Sequence, residues 1–268
     1  MGTALVTGAS AGLGLEFAWQ LATARHDVVL VARDGDRLHR LAGQLEAAAG
    51  VRTEVIVADL GVRSDLDVLA ERLRQTSHPV GLLVNNAGFG IAQPFIGGDL
   101  AREEDALEVM VHAVLVLSHA AAGAMVERGR GAILNVSSIA ALLASGTYSA
   151  HKAWVRTFTE GLAVELRGTG VTATALCPGF VRTEFHQRSH IDVSTFPSVT
   201  FLNPEDVVAA ALADVRRGAV ISTPSLRYKA LAGAARLAPR GAVRAFGRYR
   251  RELQQAHDEH DAHDAPTA

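Results

Sequence analysis

With 268 residues the chain has room for one large domain or two small ones, and an apolar fraction of 49% beside 20% charged residues can build a sizeable core. That composition excludes a globally disordered chain and a collagen-like or mucin-like fibre. Lys and Arg number 26 against 28 acids, a formal net charge of -2, so the whole-chain field gives nucleic acid no case as the main partner. Cys177 is the single cysteine. It excludes an internal disulfide framework and a cysteine-based zinc site, and it suits a reducing, cytoplasmic location. No metal site is expected.

The N-terminus runs from Met1-Gly2-Thr3 straight into Ala4-Leu5-Val6, without the basic stretch and long apolar core of a signal peptide. Val109 to Val126 is free of Asp, Glu, Lys and Arg over 18 residues, the length at which a membrane-spanning helix becomes a candidate. Its His112, Ser118, His119, Gly123 and five alanines make it only mildly apolar, so a helix buried in protein is the expectation.

From Thr3 to about Gly179 short β-rich apolar runs alternate with amphipathic stretches. The runs are Ala4–Thr7, Val28–Ala32, Glu54–Ala58, Leu82–Asn85, Ala132–Val136 and Val171–Leu176, with a further strand at Ala219–Thr223 after a helix at about Pro204 to Arg216. Nearly continuous apolar strands separated by helices specify a parallel sheet covered on both faces, a doubly wound α/β fold of Rossmann type. Leu38, Leu41 and Leu45, then Leu66, Leu69 and Leu73, repeat at i, i+3, i+7 and read as core stripes of two helices. Longer helices are expected at about 100 to 128 and from Tyr148 to about Arg167, where Gly168 supplies a stop.

The first strand ends in Thr7-Gly8-Ala9-Ser10-Ala11-Gly12-Leu13-Gly14 and a helix follows at once. A dinucleotide pyrophosphate must approach the backbone closely, which a Cβ at the turn or the helix start would block. The helix N-terminus offers unpaired N–H groups and a positive dipole end to phosphate. The second strand ends Val31-Ala32-Arg33, where an acid would bind a ribose 2'-hydroxyl and an arginine accommodates a 2'-phosphate. Here the acid is absent and Arg33 is present, so NADP is the expected cofactor over NAD; the alternative is a solvated arginine opening a surface helix.

These features extend into a set. The glycine turn at 7–14, Asn85-Asn86-Ala87-Gly88 after the fourth strand, Tyr148-Ser-Ala-His-Lys152 opening a helix, and Pro178-Gly179 after the sixth strand together resemble the short-chain dehydrogenase/reductase family over roughly residues 3 to 225. The resemblance implies Tyr148 as catalytic acid/base, Lys152 as the group that lowers its pKa and holds the nicotinamide ribose, and Ser138 as the donor to the substrate oxygen, with Ser137 the alternative. It also implies a cofactor groove of Gly8, Ser10, Gly12, Leu13, Gly14, Arg33, Asp59, Leu60, Asn86, Ala87, Gly88, Tyr148, Lys152, Pro178, Gly179, Val181 and Thr183. Asp59 resembles the residue beside the adenine, Asn86 to Gly88 the wall under the adenosine ribose, and Thr183 the threonine that meets the carboxamide or phosphates.

The sequence departs from the family's pattern at Met110, where an asparagine usually helps pass protons from solvent to the lysine; a backbone carbonyl or His112 is left to take that part. The stretch from Ser138 to Tyr148 is short, which trims one wall of the substrate site. The implied activity is hydride transfer between NADP and a carbonyl or secondary alcohol. The rival is a catalytically idle dinucleotide sensor or scaffold. Phe185, Ile191, Phe196, Val199, Phe201 and Leu202 lie among His186, Arg188 and His190, which predicts an apolar substrate of lipid-like, steroid-like or acyl type. A homodimer or homotetramer built on the helices at about 100 to 128 and 148 to 167 is expected as well.

From Arg216 to Arg251 there are ten Lys/Arg and no acid, and Glu252 to Asp264 then carries five acids and three histidines. Arg236, Arg240, Arg244 and Arg248 recur every four residues, with Pro239 and Gly241 breaking the helix into two pieces. The segment is expected either to make a weak peripheral contact with an anionic membrane or partner, or to lie over the substrate site with its arginines in water. The organisation predicted is a dinucleotide-binding and catalytic domain at 1–225 with a substrate loop at about 185–203, a basic helical extension at 226–255 and a disordered tail at 256–268.

Overall fold

The structure is a computed structural model that describes residues 2–184, 198–245 and Gly247. Of the substrate segment, Phe185, His186, Arg188, His190, Ile191 and Phe196 lie outside the described residues, as do Arg248 and the 256–268 tail.

Seven parallel strands form one sheet: β1 (Thr3–Thr7), β2 (Asp27–Ala32), β3 (Thr53–Val57), β4 (Val80–Asn85), β5 (Gly131–Val136), β6 (Val171–Leu176) and β7 (Ile221–Ser222). Their order is β3-β2-β1-β4-β5-β6-β7. The chain winds outward from β1 to β3, returns, and continues from β4 in the other direction, so the order reverses between β1 and β4. In doubly wound sheets such a reversal marks the crevice that takes a ligand, beyond the carboxyl ends of the strands.

Alternation along the strands divides the core between the two faces. Ala4, Val6, Val28, Leu30, Val84 and Leu134 point to one face. There they meet Phe17 and Leu21 of α1 (Gly12–Thr23), Leu38, Leu41 and Leu45 of α2 (Gly35–Ala49), and Val207 and Leu212 of α7 (Pro204–Arg216). Leu5, Val29, Val31, Leu83 and Ile133 point to the other. They meet Leu66, Leu69 and Leu73 of α3 (Arg63–Arg74) and Leu117 and Met125 of α5 (Ala113–Glu127), with Leu162 of α6 (Gly146–Glu165) packed alongside. The two leucine stripes read from the sequence are thus buried on opposite faces, each fully buried side chain contributing about 1.5 to 3 kcal/mol.

α4 (Leu100–Leu107) joins α5 through a π turn at Glu108–His112. The combined helix Leu100–Glu127 is long and apolar enough to cross a membrane by length and composition, yet half of its most apolar window lies inside the protein, where α5 packs on α3, β4 and β5. The expected strand at Ala219–Thr223 narrows to Ile221–Ser222, held to β6 at the sheet edge and closed by Pro224. The basic C-terminal segment forms α8 (Leu226–Leu237), an extended Ala238, and helical residues 240–245, the division that Pro239 predicts.

Candidate active site

The glycine turn sits at the strand-order reversal. Gly8 has φ +66°, and a Cβ there would lie 2.9 Å from Asn86 Nδ2; a Cβ on Gly14 would lie 2.1 Å from the Gly8 carbonyl oxygen. Both positions exclude any side chain, one by conformation and contact, the other by contact alone. Thr7 and Asn86 lock the ends of β1 and β4 together. The Thr7 hydroxyl accepts from the N–H groups of Asn86 and Ala87 at 3.0 and 3.1 Å, and Asn86 Nδ2 donates to the Thr7 carbonyl at 2.9 Å. α1 then starts behind Ala11, which makes no side-chain cap, so its leading N–H groups have no side-chain capping partner there. Thr183 lies across the turn, its Cβ 3.5 Å from where a Gly12 Cβ would sit. These features fit a dinucleotide pyrophosphate: a backbone cradle from which Cβ atoms are excluded, a helix N-terminus, and a covering threonine.

Arg33 stands at the end of β2 with its side chain 76% exposed, 3.7 Å from Asp59 Oδ2 beyond β3. Leu60 beside it is buried. Arg37, one turn on, pairs with Asp34 and with Glu184. Arg33 and Arg37 therefore stand at the carboxyl end of β2 among three acids, Asp34, Asp59 and Glu184, with Asp59 the partner of Arg33.

A buried polar ladder fixes the other half of the site. Asn85 Nδ2 donates to Asn135 Oδ1 at 2.9 Å and to Ser118 Oγ at 3.1 Å, and Asn135 Nδ2 donates to the Thr159 hydroxyl at 3.0 Å. All four side chains are buried, so every hydrogen bond left unmade would be costly, and the ladder sets the register between β4, β5, α5 and α6. Ser137 is also buried and donates to the carbonyl of Lys152 at 2.7 Å. Ser138 instead turns to the crevice, where its hydroxyl shares a hydrogen bond with Tyr148 and accepts from the Ala140 N–H at 3.1 Å. Between the two serines that the sequence left as alternatives, Ser138 is the one that meets Tyr148.

Tyr148 and Lys152 stand one helical turn apart on α6, with Lys152 Nζ 5.7 Å from the centre of the tyrosine ring. Lys152 is buried and donates to the carbonyl of Val136, the last residue of β5, at 2.8 Å. Burial pushes Tyr148 up to about 12, with the Ser138 hydrogen bond rather than the expected Lys152 charge opposing it, and pulls Lys152 down to about 8. Two groups whose ordinary values nearly coincide are driven apart. That is the arrangement in which a phenol stays a proton donor while its neighbour exchanges protons near neutral pH. Met110 is fully buried, and its Sδ approaches the same point above Gly88 as Lys152 Nζ, at 3.3 and 3.5 Å from where a Cβ would be. His112, the sequence-level substitute, is engaged by Glu108 Oε2 at 2.5 Å within the π turn.

One contributor was not legible in the sequence. The Tyr228 ring lies flat on Gly179, so close that a Cβ there would sit 2.0 Å from a ring carbon. Its hydroxyl accepts from the Phe180 N–H at 3.2 Å and donates to the Thr200 carbonyl at 2.7 Å. With the pairing of Val181 to Leu202, this ties the Pro178-Gly179 turn to both described flanks of the substrate segment. The tie spans 49 residues, and only the aromatic inside an otherwise basic stretch hints at it.

The family profile described as short chain dehydrogenase matches residues 2–193. The chain is 33% identical over 221 residues to a very-long-chain 3-oxoacyl-CoA reductase from Anas platyrhynchos, covering 79% of this chain and 68% of the relative. It is similar in structure to a short-chain dehydrogenase from Sphingobium yanoikuyae in complex with NADPH, with TM-score 0.81 and 34% identity over 88% of this chain and 94% of that one. A bulky-bulky ketone specific alcohol dehydrogenase from Comamonas testosteroni superposes with TM-score 0.76 at 28% identity, covering 100% of this chain and 97% of that one. The parallel sheet, the glycine cradle at its switch point and the profile match over most of the chain lead to one assignment: the protein belongs to the short chain dehydrogenase family and is an oxidoreductase.

Proposed function

We propose that the protein transfers a hydride between NADP and a carbonyl or secondary alcohol on an apolar substrate of lipid, steroid or acyl type. The observation that carries this reading is the meeting of Ser138, Tyr148 and Lys152 at the carboxyl ends of β5 and β6, beside a cradle that fits a dinucleotide. Gly8, Ser10, Gly12, Leu13, Gly14, Asn86, Ala87, Gly88, Pro178, Gly179, Val181 and Thr183 would hold the cofactor's phosphates and sugars, Asp59 and Leu60 its adenine, and Arg33 its 2'-phosphate. The nicotinamide, when bound, supplies or accepts the hydride.

The chain's own residues manage the proton. Ser138 donates to the substrate oxygen and orients it on Tyr148. Tyr148, held protonated by burial, gives its phenolic proton to that oxygen in reduction and takes it back in oxidation. Lys152 stabilises the phenolate left behind and would hold the nicotinamide ribose. Selectivity for an apolar carbonyl is supported by Phe180 and Phe201, whose ring centres are 5.9 Å apart at the described flanks of the substrate segment, and by the named specificities of the acyl-CoA and bulky-ketone relatives. The test is NADPH consumption against carbonyls of increasing chain length: activity that grows with apolar bulk supports the reading. NADPH binding with no turnover on any carbonyl would return the sensor alternative.

Two features of assembly belong to the same proposal. Leu100, Leu107, Leu115 and Val126 on the long helix and Val164 on α6 are exposed, a pattern that a homodimer or homotetramer would cover. On α8 and the turn after it, Arg227, Lys229, Arg236, Arg240 and Arg244 are exposed beside exposed Leu226, Leu231 and Leu237, which supports a weak peripheral contact with an anionic membrane. The domain organisation and a cytoplasmic location remain part of this reading.

A further inference from the structure

The short stretch between Ser138 and Tyr148 is packed against by the C-terminal segment. α8 meets the 3₁₀ turn Ile139–Leu142, and a Cβ on Gly247 would lie 2.3 Å from the Ala144 carbonyl oxygen. The contact continues into the turn after β6. The Ile139 N–H, next to Ser138, donates to the Pro178 carbonyl at 3.0 Å, and the neighbouring Gly179 carries the Tyr228 ring. One run of contacts therefore joins α8 to the serine that meets Tyr148.

α8 also holds the chain where it runs through Ser198–Leu202. Three successive carbonyls there accept from side chains: Ser198 from Arg182 Nη2 at 3.1 Å, Val199 from Arg227 Nη1 at 2.6 Å, and Thr200 from the Tyr228 hydroxyl at 2.7 Å. The same hydroxyl accepts from the Phe180 N–H at 3.2 Å. Tyr228 is buried, so both of its bonds are made away from water and are costly to leave unmade. The Phe180 and Phe201 rings lie 5.9 Å apart, and the Arg182 guanidinium lies 5.7 Å from the centre of the Phe201 ring. One hydroxyl thus holds Phe180 and the residue before Phe201, and so fixes the spacing of that ring pair.

From these contacts we infer that Tyr228 is a positioning residue for the active site with two separable tasks. Its ring holds the Pro178-Gly179 turn and, through the bond from Ile139, the backbone beside Ser138. Its hydroxyl sets the Phe180–Phe201 pair and with it the fit of an apolar substrate. Arg227 supports the second task by holding Val199. The inference rests on the oxidoreductase reading above and adds no chemical step to it: Tyr228 moves neither hydride nor proton and acts through the backbone it holds.

The test uses the full chain with Tyr228→Phe, Tyr228→Leu and Arg227→Gln. Tyr228→Phe leaves a ring on Gly179 and removes both hydroxyl bonds. It should raise KM for a long-chain ketone about two- to tenfold, the scale of one or two hydrogen bonds, with kcat and the NADPH dissociation constant within about twofold of the parent. KM for a short ketone should not move. Arg227 is exposed, so Arg227→Gln leaves the fold intact and should shift the long-ketone KM in the same direction by less. Tyr228→Leu removes the ring as well; kcat should fall by about tenfold as Ser138 loses its place, and NADPH should bind more weakly. A long-ketone KM unmoved in both Tyr228→Phe and Arg227→Gln, or a kcat loss equal in the two Tyr228 variants, would overturn the assignment. Hydrogen exchange in the cofactor-free protein reads the same division without turnover: the Phe180 amide should exchange faster in both Tyr228 variants, the Ile139 amide in Tyr228→Leu alone. A Phe180 amide indifferent to the lost hydroxyl also overturns it. A parent protein that reduces no ketone, with this exchange pattern present, would instead count against the oxidoreductase reading and leave the positioning role standing.

Discussion

Lys152 Nζ donates to the carbonyl oxygen of Val136 at 2.8 Å, so the cation of the site is hung from the end of β5 rather than from solvent. Burial holds it at about 8 while Tyr148 stands at about 12. As pH rises through 8 the ammonium is lost and can no longer restore the phenol. Carbonyl reduction, measured as kcat/KM, should therefore be flat below pH 8 and fall above it, whereas alcohol oxidation, which needs an acceptor behind Tyr148, should rise over the same interval. A reduction rate that climbs between pH 8 and 9 would contradict the assignment of Lys152.

Tyr148→Phe keeps the ring above Lys152 and removes the hydroxyl that Ser138 engages. Cofactor affinity should be retained, and kcat should drop by about 10²- to 10⁴-fold. Fluorescence titration with NADPH and a turnover assay on the same preparation separate the two effects. Full activity would remove Tyr148 from the mechanism.

The exposed Arg33 lies 3.7 Å from Asp59, which keeps it at the crevice edge. A charge-assisted contact with a 2'-phosphate should favour NADPH over NADH by roughly 1.5 to 3 kcal/mol, about ten- to a hundredfold in kcat/KM. Arg33→Ala should bring the two cofactors toward parity by weakening NADPH alone. If the parent protein prefers NADH, Arg33 is a surface residue and the cofactor assignment falls.

How far the sequence reached can be judged from particular residues. Strand runs and leucine stripes were legible because a parallel sheet buried on both faces leaves a period-2 apolar record and its helices a period-3.6 one. Glycines 8 and 14 were legible because close backbone approach excludes every other residue. The π turn at Glu108–His112 was not, since a single extra residue within a turn leaves the apolar spacing of a long helix almost unchanged. The ring contact of Tyr228 on Gly179 and the Glu103–Thr147 bond were hidden because they depend on how separate elements dock, which no local pattern records. The pairing of Arg33 with Asp59 was half legible: each residue was read as a cofactor neighbour, but not that one holds the other.

Leu115 on α5, within the charge-free run Val109 to Val126, is 43% exposed, and Val164 on α6 is 59% exposed. Leu115→Asp with Val164→Asp should convert an oligomer to a monomer by light scattering. The fold should hold, because exposed substitutions typically change stability by no more than about 0.5 kcal/mol. A parent protein that is already monomeric at micromolar concentration would refute the assembly proposed.

The basic C-terminal segment cannot be tested by cutting the chain at residue 225, because that would also remove Tyr228 and its bonds to Phe180 and Thr200. Substitutions on the exposed side of α8 avoid this. Leu226 and Leu237 are 82% and 88% exposed, and each basic residue near an anionic leaflet contributes about 1 kcal/mol, so several together give reversible binding. The full chain should co-sediment with phosphatidylserine vesicles at low salt, release as salt is raised, and ignore neutral vesicles. Arg236→Glu with Arg240→Glu should abolish the binding, and Leu226→Ser with Leu237→Ser should weaken it at unchanged charge. If the parent fails to bind anionic vesicles at any salt concentration, these arginines are solvated and the segment serves the substrate site through Tyr228.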